Sequence, residues 1–154
     1  MVLVLIGVLA ALVLPRLSGL SERERMLAAA RRLAGLALEA HSQAATKARP
    51  WFFCLDLDRK RTYLATVRPG LEGDTGRESD YFDLPHGVAV EDVIHPLEGQ
   101  VKEGRVSFGY WPTGGGEPGT IHLRTEAGDR LTIFLRPYLG RTEIKEGYLR
   151  EEAG

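Results

Sequence analysis

The first fourteen residues, Met1 to Leu14 (MVLVLIGVLAALVL), contain no charged or polar side chain. As a helix this run is apolar on every side and reaches about 21 Å, against roughly 30 Å of hydrocarbon in a bilayer. Three interpretations are open: the apolar stretch of a cleaved secretory signal, a buried core helix, or a spanning helix whose beginning lies outside this chain. Pro15-Arg16-Leu17 is a poor cleavage site, which disfavours the first.

The residues after Pro15 predict a long amphipathic helix. Ser21, with Glu24 three residues later, is typical of a helix start, and strong helix formers follow as far as Arg49. One face of this stretch is apolar and mostly small. It comprises Met26, Ala30, Leu33, Ala37, Ala40 and Ala44, with Leu27, Ala34 and Leu38 beside it. Because Pro15 and the pair Ser18-Gly19 can accommodate a kink, we expect one long, bent helix of more than forty residues.

From Pro50 onward the apolar residues alternate with polar ones, which is typical of strands. Trp51 to Leu57 and Thr62 to Val67 predict a hairpin, and Arg68 to Asp80 is a polar, glycine-rich connection. Further strand candidates are Tyr81 to Leu84, Val88 to Ile94, Arg105 to Trp111, Thr120 to Arg124, Leu131 to Leu135 and Arg141 to Lys145. Short strands separated by turn signals predict an antiparallel sheet or sandwich. We therefore expect an α+β fold in which the helix stripe covers one sheet face.

These patterns divide the 154 residues into a hydrophobic helix half at 1–20, an amphipathic helix half at 21–49 and a β-rich head at 50–154. The length is sufficient for one domain with a core. Through residue 49 there are 7 basic and 3 acidic residues, whereas the head has 13 basic and 18 acidic ones. An acidic head disfavours a surface that binds phosphate groups. The single cysteine, Cys54, excludes an internal disulfide and a multi-cysteine metal site.

The sequence offers little catalytic chemistry, and we predict no enzyme activity, no cofactor and no metal site. Asp56-Leu57-Asp58 resembles a metal-binding pair of carboxylates, but beside Arg59-Lys60-Arg61 we expect a solvated, charge-balanced turn. Gly114-Gly115-Gly116 lacks the Lys and Ser/Thr of a phosphate loop and predicts a flexible turn. The histidines share no ligand spacing; they are His41, His86, His95 and His122. Cys54 alternates with core-facing neighbours, which predicts a buried or half-buried structural residue.

The apolar run, with its Gly7 and Pro15, resembles the N-terminal helix of type IV pilins and type II secretion pseudopilins. The later pattern is similar to the C-terminal part of the GspH/FimT-type minor pseudopilins. It runs from Val106-Ser107-Phe108 through a glycine-rich loop to Thr120-Ile121-His122-Leu123 and a hairpin near Leu139-Gly140-Arg141. The resemblance covers most of the chain. It implies a pilin-like fold and a structural minor subunit of a type II secretion pseudopilus or a type IV pilus, contributing to protein secretion or pilus biogenesis.

One part of the family pattern is missing. A prepilin carries a short basic leader, a Gly cleavage site, an N-methylated Phe and a later Glu, and none of these precedes Met1. Alignment on Gly7 and Pro15 implies that about seven mature residues are absent, and adding them brings the apolar run to about twenty, the length that a bilayer requires. We interpret Met1 as a false start or an artificial boundary.

The resemblance also implies a location and partners. The protein would span the bacterial inner membrane once, with its head on the periplasmic side, and then join other pilins or pseudopilins in a filament. The same apolar side chains would contact lipid before assembly and neighbouring subunits afterwards. The expected membrane and assembly residues are Leu3, Leu5, Leu9, Leu12 and Pro15, and the expected helix-to-head packing residues are Met26, Leu33 and Ala37.

Two alternatives remain. A DNA-binding minor pilin of a competence pilus would use Arg136, Arg141 and Lys145. Glu143 and Glu146 interrupt this cluster and favour a solvated, charged edge. The other alternative is a soluble sandwich domain whose N-terminal helix is part of its core.

Overall fold

The computed structural model of this chain describes residues 2–70, 76–139 and 141–151, with the backbone alone for residues 10–20. The α-helix α1 is continuous from Val2 to Lys47 and has 46 residues. At 1.5 Å per residue its length is about 69 Å. The helix ends because Ala48 takes a left-handed conformation, with φ of 53°, and because Pro50 cannot continue a helix.

The start signal at Ser21 and Glu24 does not begin a helix, because α1 passes through Ser21 without interruption. A capping side chain satisfies amide groups that have no partner in a preceding turn, and at Ser21 the preceding turn exists. The prediction of one helix longer than forty residues is confirmed. The bend predicted near Pro15 stays a prediction, and the helix is continuous through that position.

Nine strands follow the helix in the described part of the chain. They are β1 (Trp51–Asp56), β2 (Arg61–Ala65), β3 (Phe82–Asp83), β4 (Val88–His95), β5 (Gly99–Val101), β6 (Arg105–Tyr110), β7 (Gly119–Thr125), β8 (Arg130–Arg136) and β9 (Arg141–Glu146), with a short 3-10 helix at Pro137–Leu139. Sheet A is four-stranded, in the order β3-β2-β1-β6, and sheet B is five-stranded, in the order β5-β4-β7-β8-β9. Neighbouring strands are antiparallel in both sheets.

Most strand predictions are confirmed. The predicted hairpin is the β1–β2 pair, in which Phe52 lies opposite Ala65. The second predicted pair is β7 with β8, in which Thr120 lies opposite Phe134. The strand β5 was missed, because three residues with two of them exposed show no alternating pattern. The α+β fold, with the helix packed on antiparallel sheets, is confirmed.

The core lies between α1 and the two sheets. The helix contacts strands of both, including β1 and β2 of sheet A and β7, β8 and β9 of sheet B. Fully buried core side chains include Phe53, Phe108, Ile121, Leu123 and Ile133. A second, smaller cluster on sheet A contains Cys54, Tyr63 and Ala65, with Phe52 and Tyr81 packed against it. Cys54 is buried, as its alternation with core residues predicted.

Gly119, the first residue of β7, permits a close approach between the two sheets. A Cβ atom at this position would lie 2.1 Å from Cε1 of Phe108 and 3.0 Å from the carbonyl oxygen of Ile94. Phe108 belongs to β6 of sheet A and is fully buried, so its ring has little room to move. Any side chain at position 119 would therefore push the sheets apart or displace the ring.

We predict that Gly119→Ala lowers the free energy of unfolding by about 1–3 kcal/mol, because the added methyl group overpacks the core. Urea denaturation of the two proteins measures the difference. Gly115→Ala is the matched control, since a Cβ there has its nearest neighbour at 4.0 Å, the side-chain oxygen of Thr113. Equal stability of Gly119→Ala and the parent protein would contradict the packing described here.

Candidate functional site

The described apolar side chains at the start of α1 are exposed on every side of the helix. Leu3, Leu5 and Leu9 are 84%, 63% and 59% exposed, and each residue from Val2 to Leu9 is exposed. Since eight consecutive residues make more than two helical turns, the described residues of the head cover no face of this segment. In the described residues, no helix combines the length and apolar character needed to cross a membrane. The side chains of Leu12 and Pro15, predicted for the same surface, lie outside the described residues.

The second half of α1 packs against the head. Met26, Leu33 and Ala37 are 2%, 0% and 1% exposed. The other buried positions of this helix half are Ala29, Ala30, Leu36, Ala40 and Ala44. Most of these residues are alanines, so the helix backbone can approach the sheets closely. Leu38, which lies beside the stripe, points away from the core and is largely exposed.

Polar contacts fix this half of the helix at both ends. Near its beginning, Arg23 forms an ion pair with Glu146 at the end of β9. Near its end, Nε2 of His41 lies 2.9 Å from the carbonyl oxygen of Gly114, in the loop between β6 and β7. The same ring lies 5.6 Å from that of Tyr110. The packed half of α1 is thereby aligned along the head, whereas residues 2–9 make no such contacts.

The three basic residues predicted as nucleic-acid contacts lie close together but share carboxylate partners. Arg136, Arg141 and Lys145 are each within 3.2–3.8 Å of Glu143, and Arg136 also pairs with Glu151 at 3.7 Å. Glu143 lies between the basic residues on β9. Because phosphate groups would compete with carboxylates already in place, this cluster favours a charge-balanced edge over a nucleic-acid surface.

The expectation of a solvated turn at Asp56 is wrong. Asp56 is 3% exposed, and its carboxylate lies 3.6 Å from Arg59 and 3.4 Å from Arg105. Burial requires these partners, since an unpaired buried carboxylate is costly. Asp58 accepts a hydrogen bond of 3.0 Å from the amide of Gly104. The charge balance was predicted, but the burial was not, because Arg105 comes from a distant strand.

A buried polar network connects sheet A to sheet B through His95. Its Nε2 atom lies 2.8 Å from the carboxylate of Glu117 and 2.9 Å from the carbonyl oxygen of Ser107. Glu117 also forms an ion pair with Arg68, whose guanidinium donates a 3.2 Å hydrogen bond to the Ser107 hydroxyl. Arg68 also lies over the ring of Phe52, 4.9 Å from its centroid. The network fixes the start of the connection that follows β2.

A second buried network lies on the other side of sheet B, around His122. Nδ1 of His122 lies 2.5 Å from the Asp92 carboxylate, and Nε2 lies 2.6 Å from the carbonyl oxygen of Leu149. Tyr148 stacks on the imidazole at 3.8 Å and donates a 2.7 Å hydrogen bond to Asp92. Gln100 donates a further bond of 2.9 Å to the same carboxylate.

These contacts change the acidity of two groups. Burial alone would raise the pKa of Asp92, but hydrogen bonds from Tyr148, His122 and Gln100 favour the ionised form and together lower that pKa. The hydrogen bond to Asp92, followed by burial, raises the pKa of Tyr148. Asp92 is therefore held as a carboxylate and Tyr148 as a neutral donor.

Sequence reasoning missed both networks. Their members are distant along the chain, and only strand pairing brings Asp92 opposite His122. The available signal was polar residues inside otherwise apolar strands, since His122 interrupts Ile121 and Leu123. Within the described residues, no group of three or more histidine, cysteine or acidic side chains is arranged to hold a metal ion.

Comparison with solved structures identifies a similar fold. The structure resembles the minor pseudopilin EpsH from the type 2 secretion system of Vibrio cholerae, with a TM-score of 0.55 and 12% sequence identity, over 79% of this chain and 97% of that chain. No family model matches the sequence, and no curated protein matches it. The chain therefore has a pilin-like α+β fold, similar to that of a minor pseudopilin, as the resemblance of its helix implied.

We predict that Asp92→Asn lowers the free energy of unfolding by about 1–3 kcal/mol at about pH 5, because partners of the carboxylate lose a charged acceptor. Since the pKa of Asp92 is lowered by folding, its stabilisation is complete above the unfolded value of about 3.9 and is lost as the pH falls through the folded value. Asp92→Asn should thus lose less stability than the parent on acidification below about pH 4. Urea denaturation over a pH series measures this, with exposed Asp80→Asn as the control. Parallel acid profiles for Asp92→Asn and the parent would refute the assignment.

Proposed function

We propose that this protein is a structural minor pseudopilin that assembles through its N-terminal helix into a type II secretion pseudopilus or a type IV pilus. In that role it contributes to protein secretion or to pilus biogenesis. The observation that carries the proposal is the division of α1 into two halves with opposite surroundings. One half is packed on the head through Met26, Leu33 and Ala37, and the described apolar residues of the other half are exposed to solvent.

The exposed segment needs a partner outside the head. Fully burying one Leu, Ile or Val side chain stabilises a protein by about 1.5–3 kcal/mol. Burying the exposed residues 2–9 against a partner would therefore contribute on the order of 10 kcal/mol. A soluble domain that contained this helix in its core would have buried it. We propose that lipid of the inner membrane covers this surface before assembly, with the head on the periplasmic side, and that apolar helices of other pseudopilins cover it afterwards.

The proposed role depends on protein contacts and not on catalysis. The buried ionisable groups are engaged in the fold: Asp56 with two arginines, Glu117 with Arg68 and His95, and Asp92 with His122. The likeness to EpsH, a minor pseudopilin of a type 2 secretion system, supports the type II pseudopilus as the first of the two assemblies. DNA binding is the weaker alternative, because Glu143 already pairs with the three cations that would make the contact.

A charge on the exposed segment should weaken membrane binding. We predict that Leu5→Lys reduces partitioning of the full chain into phospholipid vesicles by on the order of 100-fold, because a lysine within the hydrocarbon costs about 2.5–3.5 kcal/mol. Vesicle flotation measures the bound fraction. Leu97→Lys is the matched control: it is the same change at an 81% exposed leucine of the head.

Leu97→Lys should bind vesicles like the parent. If the parent chain stays entirely in solution, or if both variants lose binding equally, the exposed segment is not the membrane-binding surface.

A further inference from the structure

The C-terminal segment, residues 147–151, is held against the face of sheet B that points away from the core. Asp92, His122 and Thr132 lie side by side on β4, β7 and β8 and form a polar row across that face. The segment bonds along this row. The hydroxyl of Thr132 donates to the carbonyl oxygen of Gly147 at 2.6 Å and accepts from the amide of Leu149 at 2.9 Å. His122, with a side chain 0% exposed, is buried beneath the stacked ring of Tyr148.

The contacts of His122 fix how many protons its ring carries. Nε2 faces the carbonyl oxygen of Leu149, which can only accept a hydrogen bond. Nδ1 faces Oδ1 of Asp92, whose carboxyl group is held ionised by the hydrogen bonds that Tyr148 and Gln100 donate to its Oδ2, so Oδ1 also acts as an acceptor. A neutral imidazole has one N–H group and can satisfy only one of these two acceptors. The closed arrangement therefore requires a doubly protonated, cationic His122.

The other buried histidine provides a contrast within the same chain. Nδ1 of His95 accepts hydrogen bonds from the amides of Leu97 and Glu98, at 3.2 and 3.3 Å. Only Nε2 faces acceptors, namely Glu117 and the carbonyl oxygen of Ser107. One N–H group satisfies this environment, so a neutral ring is sufficient. The demand for two ring protons is specific to the site where the C-terminal segment is bound.

The charged groups around His122 come from several elements. Asp92 on β4 is the carboxylate in contact with the ring, and Thr132 on β8 and Gln100 on β5 are uncharged. On the outer side of Tyr148 lie Arg130, 5.6 Å from its ring centroid and paired with Glu91, and Arg150, which bonds to the Tyr148 hydroxyl. The cleft beside them is also lined by Lys102 and Arg124. Of these charged groups Asp92 contacts the ring directly, and the cations lie on the far side of Tyr148 or in the adjacent cleft.

We propose that the protonated ring of His122 is a latch that holds residues 147–151 closed over sheet B, and that loss of one ring proton releases the segment. Without the Nε2 proton, the ring nitrogen and the carbonyl oxygen of Leu149 present lone pairs to each other at 2.6 Å. Release uncovers the polar row of Asp92, His122 and Thr132. The segment is therefore closed on the acidic side of the histidine transition and open on the alkaline side, independently of whether the proposed function holds.

Two measurements on the full chain in detergent test the latch between about pH 5 and pH 8, the range over which histidine changes charge. Nitrogen NMR shifts of the His122 ring report whether one or both nitrogens carry protons. Hydrogen exchange of the Leu149 amide, corrected for the intrinsic pH dependence, reports whether the segment is closed. We expect both ring nitrogens to be protonated at low pH, and protection of the Leu149 amide to fall about tenfold or more as one proton is lost.

His122→Gln should abolish the pH dependence of that protection, whereas His86→Gln, at a position outside the polar row, should preserve it. If His122→Gln does not fold, the two measurements on the parent chain still decide. A ring with one proton at low pH, or a Leu149 amide that stays equally protected after the ring loses a proton, would overturn the latch.

Discussion

The structure depends on the unequal burial of one continuous helix. From Met26 onward one face of α1 is covered by the head, whereas residues 2–9 are exposed to solvent in the part of the chain that the structure describes. Exposed apolar surface of this size is unfavourable in water, so the segment favours contact with an apolar partner, either lipid or another protein. The head does not need a partner of this kind, since its core apolar residues are enclosed between the helix and the two sheets. The proposed assembly therefore depends on the exposed segment of the helix, and the head holds the other half of the helix in place.

Small residues allow the head to pack closely against one half of the helix. Alanines on the packed stripe bring the helix backbone close to the strands, and Gly119 does the same for the contact between the sheets. Two buried polar networks then fix the positions of elements that apolar packing alone would not hold in one place. The Glu117 network joins sheet A to sheet B, and the His122 network holds the C-terminal segment. A shift that breaks one hydrogen bond of such a network would leave the remaining polar groups buried without partners, which is costly. The network therefore favours one arrangement of the elements that it joins.

Local patterns explain how much of this the sequence could predict. The length of the helix and the β1–β2 and β7–β8 pairs follow from periodicity, which is a property of neighbouring residues. The signal at Ser21 and Glu24 does not mark a helix start, because the amide groups that it would cap already have partners in the preceding turn. The burial of Asp56 and the pairing of His122 with Asp92 depend on strands far apart along the chain, so no local pattern contains them. The apolar composition of residues 1–14 predicts an assembly surface, which stays a proposal, but the exposure of Leu3, Leu5 and Leu9 required the structure.

The most direct test of the account is site-specific cross-linking of the exposed segment. If the proposed assembly holds, a cysteine placed by Leu5→Cys should cross-link to the apolar helix of a neighbouring subunit in cells that assemble the filament. Leu97→Cys, on the exposed surface of the head, should not, and buried Cys54 provides the unreactive background. If the cysteine at position 5 reacts with a water-soluble reagent as fast as the one at position 97 in both membrane and filament fractions, the segment is not buried by any partner. That result would contradict the central claim.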